Sequence, residues 1–162
     1  MSALPVATPV VPPDRRQSAT ALAVARGTAR LLHSLGHASV TELSLASGRR
    51  ADIVALHQDG EVWIIEIKSS IEDFRADRKW PDYRLHCDRL FFATASHVPA
   101  EIFPPDAGLI VADAFAGCLI RAAPEHRLSA ATRKAMLLRF AHAAAMRLLV
   151  AGDPAMGIGN RE

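Results

Sequence analysis

Cysteine is scarce in this chain: Cys87 and Cys118 are the only two among 162 residues. Two thiols so far apart make neither a C-x-x-C site nor a disulfide framework, which points to a reducing cytosol. Both read as ordinary buried thiols. The start of the chain lacks the basic-then-apolar layout of a signal peptide. No run reaches the ~18 apolar residues that a membrane span needs, the longest candidate being broken by charges. A large excess of one charge is missing too, since the net charge is +2. The total therefore carries no polyanion signal, and only the distribution of charge can. Internal repeats are absent, and His33, His37, His57, His86, His97, His126 and His142 have no metal-ligand spacing. These absences lead to the expectation of a cytoplasmic protein with no membrane partner.

What is present suits one domain. Half of the residues are hydrophobic, enough at this length for a sizeable core. Residues 1–15, broken by Pro5, Pro9, Pro12 and Pro13, read as a flexible lead-in. Residues 16–150 form the domain, and the glycine-rich 151–162 a tail. Helical spacing runs from about Arg16 to Leu35, in a segment without a single acid, and stops at Gly36. Three strands follow, over 40–46, 51–57 and 61–68, joined by the turns Ser47–Arg50 and Gln58–Gly60 into an antiparallel meander. Residues 69–79 read as a loop with some helical character. A short helix from Pro81 to Cys87 leads to strands at 89–95, 108–112 and, at a sheet edge, 118–122. Ser129 caps a long helix to about Val150. The fold class is α/β, a mixed sheet with helices on both sides.

One strand carries groups that a core does not need. Val62, Trp63, Ile64, Ile65 and Ile67 are β-branched or aromatic, yet Glu66 and Lys68 share one face of the same strand. Charges in a buried strand are costly unless they pair or bind something. Hairpin pairing brings Asp52 to Glu66, where facing side chains lie about 5 Å apart. Two carboxylates that close repel unless a cation lies between them. Hard cations such as Mg2+ take one or two carboxylates plus waters and phosphate, and the Ile67 carbonyl faces the same space. Lys68 would orient or deprotonate the attacking water and stabilise charge on a phosphate.

This arrangement, Asp–x13–Glu-x-Lys on hairpin strands, resembles the PD-(D/E)XK nuclease superfamily. Ala-Ser-Gly-Arg-Arg-Ala-Asp-Ile-Val-Ala-Leu, Ile-Glu-Ile-Lys-Ser-Ser, Lys-Trp-Pro-Asp-Tyr and Cys-Asp-Arg-Leu-Phe-Phe-Ala look, more narrowly, like the MmcB-type bacterial DNA repair proteins, over about residues 20–150. The resemblance implies a restriction-endonuclease-like fold and phosphodiester hydrolysis with Mg2+ or Mn2+. By it Asp52 and Glu66 are metal ligands and Lys68 the catalytic lysine. The superfamily's motif proline is Ala51 here, and the glutamate that many members carry in the first helix has no counterpart. Glu42 is the candidate substitute as an outer ligand.

The segment Arg75–Arg84 adds Arg78, Lys79, Trp80, Tyr83 and Arg84, cations for phosphates and rings that can stack on unpaired bases. Arg49 and Arg50 extend that rim. The partner expected is DNA, single-stranded or branched, with other repair proteins possible. Blander readings stand beside these: Glu66 and Lys68 as an ion pair leaving the core, Trp80 and Tyr83 as packing residues, and Arg133, Lys134, Arg139 and Arg147 as a solvated helix face. The function expected is a metal-dependent deoxyribonuclease, with a catalytically silent DNA-binding or adaptor protein as the alternative.

Overall fold

A computed structural model describes residues 18–157. The elements are α1 (Ala19–Ser34), β1 (His37–Ser44), β2 (Arg50–His57), β3 (Val62–Lys68), α2 (Ile71–Ala76), a 3-10 segment (Trp80–His86), β4 (Arg89–Thr94), β5 (Gly108–Ala112), β6 (Gly117–Arg121) and α3 (Ala130–Gly152). The six strands lie side by side in sequence order. β1–β2 and β2–β3 are antiparallel, β3–β4 and β4–β5 parallel, and β5–β6 antiparallel again. The meander and the crossover expected from the sequence are both present.

The pleat sends successive side chains to opposite faces, so adjacent residues feed different cores. Val54, Ile64 and Leu90 meet Met136 and Phe140, the buried residues of α3, and Leu128 just before that helix. Ile53, Ile65, Phe91 and Ile110 meet Val24 and Leu32 of α1. Each large side chain buried in this way contributes about 1.5–3 kcal/mol relative to exposure. A helix therefore covers each side of the sheet. Asp88 joins the two ends of one layer: its carboxylate accepts from Val62 N and Leu128 N and takes a bidentate pair from Arg133 of α3 at 2.7 and 2.8 Å.

Several expectations are corrected. Residues 71–76 are helical because Ser70 Oγ accepts from Asp73 N and two acids occupy the first turn. Only six residues long, this helix shows no stripe in sequence, yet Ile71 and Phe74 pack beneath Phe92 and Phe103. β1 begins at His37, which is buried against Trp63 at 4.1 Å between ring centroids. Cys118 is exposed, not buried, because β6 is an edge strand whose middle faces outward. α3 continues to Gly152 and a 3-10 turn follows at Pro154–Gly157, so only 158–162 of the expected tail lies outside the described residues, as does the proline-rich 1–15. By length and composition α3 also passes for a membrane span, with a mean hydropathy of 1.3 over an 18-residue window. It lies along the sheet, anchored by Met136 and Phe140.

Candidate active site

The β2–β3 turn sets the register. Gly60, at φ +91°, supplies the left-handed residue that closes it, and Leu56 then pairs with Val62, Val54 with Ile64 and Ile53 with Ile65. One more step would put Asp52 opposite Glu66. There the backbone ladder stops and side chains replace it. Ile67 N donates to Asp52 Oδ2 at 2.8 Å, and Asp52 N donates to Glu66 Oε1 at 3.2 Å. Each carboxylate is thus held by the backbone of the opposing strand. On the other side of Asp52, β1 is interrupted as well. Glu42 adopts φ +51° and is skipped in the pairing between Thr41–Ile53 and Leu43–Ala51.

Burial and crowding tax both acids. Glu66 is 3% exposed, and burial first, then the charge of Asp52, push its carboxyl well above the ordinary range. Burial also raises Asp52, against the Ile67 N–H and Lys68, which pull it down. With no cation between them, the two carboxylates resist carrying two negative charges, and the pair binds a proton more tightly than free carboxyls do. Tyr83, whose hydroxyl donates to the Arg50 carbonyl, is pushed up to about 12 by burial and then by Glu66 and Asp52.

Lys68, two residues along the same face, is nearly buried and turns to Asp77, Nζ to Oδ2 at 2.6 Å. Burial alone would raise Asp77, but the Lys68 hydrogen bond together with the Lys79 and Trp80 backbone N–H groups outweighs it and holds the carboxyl low. Arg50, Asp52, Glu66, Ile67, Lys68 and Tyr83 line one pocket of about 350 Å3 with Ser69, Asp73 and the first turn of α1 at Ser18 and Ala21. That turn contains no acid and ends in the positive pole of the helix, which favours an anion in the pocket.

Sequence reasoning missed Asp73 and Asp77. Asp73 lies in the pocket wall, its carboxylate accepting from Ser69 N at 3.0 Å. Both acids arrive on α2 and its C-terminal end, an element the sequence barely signals. Glu42 is not in the pocket: it sits on the neighbouring groove between β1 and α3 and lies 3.4 Å from Arg50. Arg49 is paired with Asp82 at 2.6 Å. Arg78 and Lys79 are exposed. Trp80 is half-buried, its edge on Phe92 and Arg84 above its face at 5.5 Å. Arg84 also pairs with Asp106. Tyr83 is buried.

Among the described residues no group of three or more His, Cys, Asp or Glu side chains is arranged to hold a metal ion. Two carboxylates are present, and Ile67, whose N–H donates to Asp52, lines the same pocket. That donor set, all oxygen, fits Mg2+ or Mn2+, which keep several waters and need few protein ligands.

The MmcB-like family model, described as DNA repair protein MmcB-like, matches residues 8–155. Among solved structures, a protein of unknown function from Silicibacter pomeroyi is 43% identical and superposes with a TM-score of 0.84, over 91% of this chain and 100% of that one. No curated protein matches the chain.

Proposed function

This chain belongs to the MmcB-like DNA repair family, and from that premise we propose that it is a divalent-metal-dependent deoxyribonuclease on a restriction-endonuclease-like fold of the PD-(D/E)XK type. One observation carries the proposal: Asp52 and Glu66 are held side by side in a pocket by each other's strands, with Lys68 on the same face. A structural core has no use for two adjacent acids that must share a proton.

Asp52 Oδ, Glu66 Oε and the Ile67 carbonyl would hold Mg2+ or Mn2+, and binding would expel the shared proton. A bound cation supplies Lewis acidity toward a phosphate oxygen. Lys68 donates one of its three N–H groups to Asp77, which leaves two for phosphate or the attacking water. The N-terminus of α1 and Arg50 add positive potential where a phosphodiester would lie. DNA is the partner this charge pattern suits, with the exposed Arg78 and Lys79 available to contact phosphates.

The test is a panel of labelled single-stranded, flapped and duplex DNAs with Mg2+ or Mn2+. Cleavage is expected from the native protein and loss of it from Asp52→Asn, Glu66→Gln and Lys68→Ala. Activity that survives all three sinks the proposal. The 2.6 Å Lys68–Asp77 pair favours a second reading, a DNA-binding adaptor with a silent site, because it occupies the ammonium in the free protein. Salt-sensitive DNA binding without cleavage under any divalent ion would select it.

A further inference from the structure

α3 contains no acidic residue. One of its cations, Arg133, is committed to Asp88, but Arg139 and Arg147 are not paired with any carboxylate among the described residues. They stand two turns apart, about 12 Å along the axis, and both reach toward the edge strand β1. Arg139 Nη1 lies 3.3 Å from the Ser44 carbonyl and Arg147 Nη1 3.4 Å from Thr41 Oγ1. These are long, single contacts, and a guanidinium has five N–H groups to give. Between α3 and β1 they border a groove of about 600 Å3, with His142 between them and Leu138 and Ala143 as apolar lining. The one acid in its lining, Glu42, lies against Arg50, and Arg50 also lines the carboxylate pocket. Groove and pocket therefore share a wall.

We infer that the α3–β1 groove is a track for a single nucleic-acid strand running to or from the carboxylate pocket, with Arg139 and Arg147 on consecutive stretches of phosphate and the Leu138 side against sugars and bases. Charge complementarity selects the occupant: the rim is cationic, and its acid is already neutralised by Arg50. A lone strand uses both the cations and the apolar lining. The inference rests on the pocket being a DNA-processing site, and it extends the binding surface along the β1 edge of the sheet.

The test is fluorescence anisotropy with a labelled oligothymidylate long enough to span pocket and groove, and with a short one that fills the pocket alone, in chelator so that nothing is cut. Arg139→Ala/Arg147→Ala is expected to weaken the long oligonucleotide about tenfold and to flatten its log-affinity against log-salt slope by about 1.4, at ~0.7 per phosphate contact on a single strand. The short oligonucleotide should be unaffected, and Arg139→Lys/Arg147→Lys should keep the native slope. An unchanged slope in the alanine variant, with native binding intact, overturns the groove and leaves the pocket standing. No binding of the native protein to either oligonucleotide removes the pocket reading and the groove with it. Should the substitutions instead abolish binding to phosphatidylglycerol vesicles, or a dimer, with DNA affinity untouched, the groove belongs to another occupant.

Discussion

Lys68 and Asp77 form an ion pair at 2.6 Å in which the lysine is almost wholly buried and the aspartate largely so. The two residues belong to different elements, β3 and the end of α2, so the pair fixes the α2 connection against the site. Removing the aspartate strands an ammonium in the interior. Asp77→Ala is expected to lower unfolding free energy by on the order of 3 kcal/mol. Lys68→Met, which deletes the charge and leaves an acid able to reach water, should cost clearly less. Urea denaturation of the two variants decides it. Equal losses would show that burial of the charge is not what the pair compensates.

Glu66 has a folded-state pKa above its ordinary 4.5, through burial and then Asp52. The folded state therefore keeps a proton that the unfolded chain has released, and this contribution to stability is complete below the unfolded value and fades as pH rises through the raised one. Glu66→Gln keeps an oxygen for Asp52 N and has no proton to lose. It should melt a few degrees above the native protein at pH 8 and close to it at pH 4, at ~2–4 °C per kcal/mol for a chain of this size. Scanning calorimetry at both values reads the difference, and a variant that is no more stable at pH 8 refutes the strain assigned to this carboxyl.

The same proton links metal binding to pH. Mn2+ titrated into the native protein should release protons, so the calorimetric heat should vary with the ionisation enthalpy of the buffer, and affinity should rise from pH 6 to pH 8. Asp52→Asn should abolish the signal. Heats independent of the buffer would mean that the cation does not bind between these acids.

Asp88 is a structural counterpart, an acid serving stability alone. Burial would raise it, but the Arg133 pair and the Leu128 and Val62 N–H groups outweigh burial and hold it below its ordinary 3.8. Its contribution is present above that value and lost as pH falls through the depressed one. Asp88→Ala should cost about 3–5 kcal/mol at neutral pH, leaving Arg133 without its partner. It should also flatten the acid limb of the stability profile, which an acid titration followed by circular dichroism would reveal.

Much of this architecture is legible in the chain. The turn at Gly60 and the two-residue alternation fix the arithmetic that places Asp52 across from Glu66, because a hairpin register leaves no other choice. The covering helices follow from periodicity. What escapes is whatever depends on contacts between elements. Asp77 lies nine residues beyond Lys68, across a helix too short to show a stripe, so nothing local links the two. Glu42 gives no warning of its left-handed backbone, a conformation usually signalled by glycine or asparagine. Cys118 lies in an apolar run whose edge position is legible, but nothing local shows that the middle of β6 faces outward. Arg139 and Arg147 look like solvated cations until β1 is found beside them.

The exchange by which Asp52 and Glu66 are each gripped by the other's strand has a consequence for how the chain can vary. Their oxygens are located by main-chain N–H groups, which every residue but proline possesses. The side chains around them can therefore drift without moving the acids, provided the hairpin register holds. A one-residue insertion in the Gln58–Gly60 turn, far from the pocket, should be more damaging to it than almost any exchange in its walls.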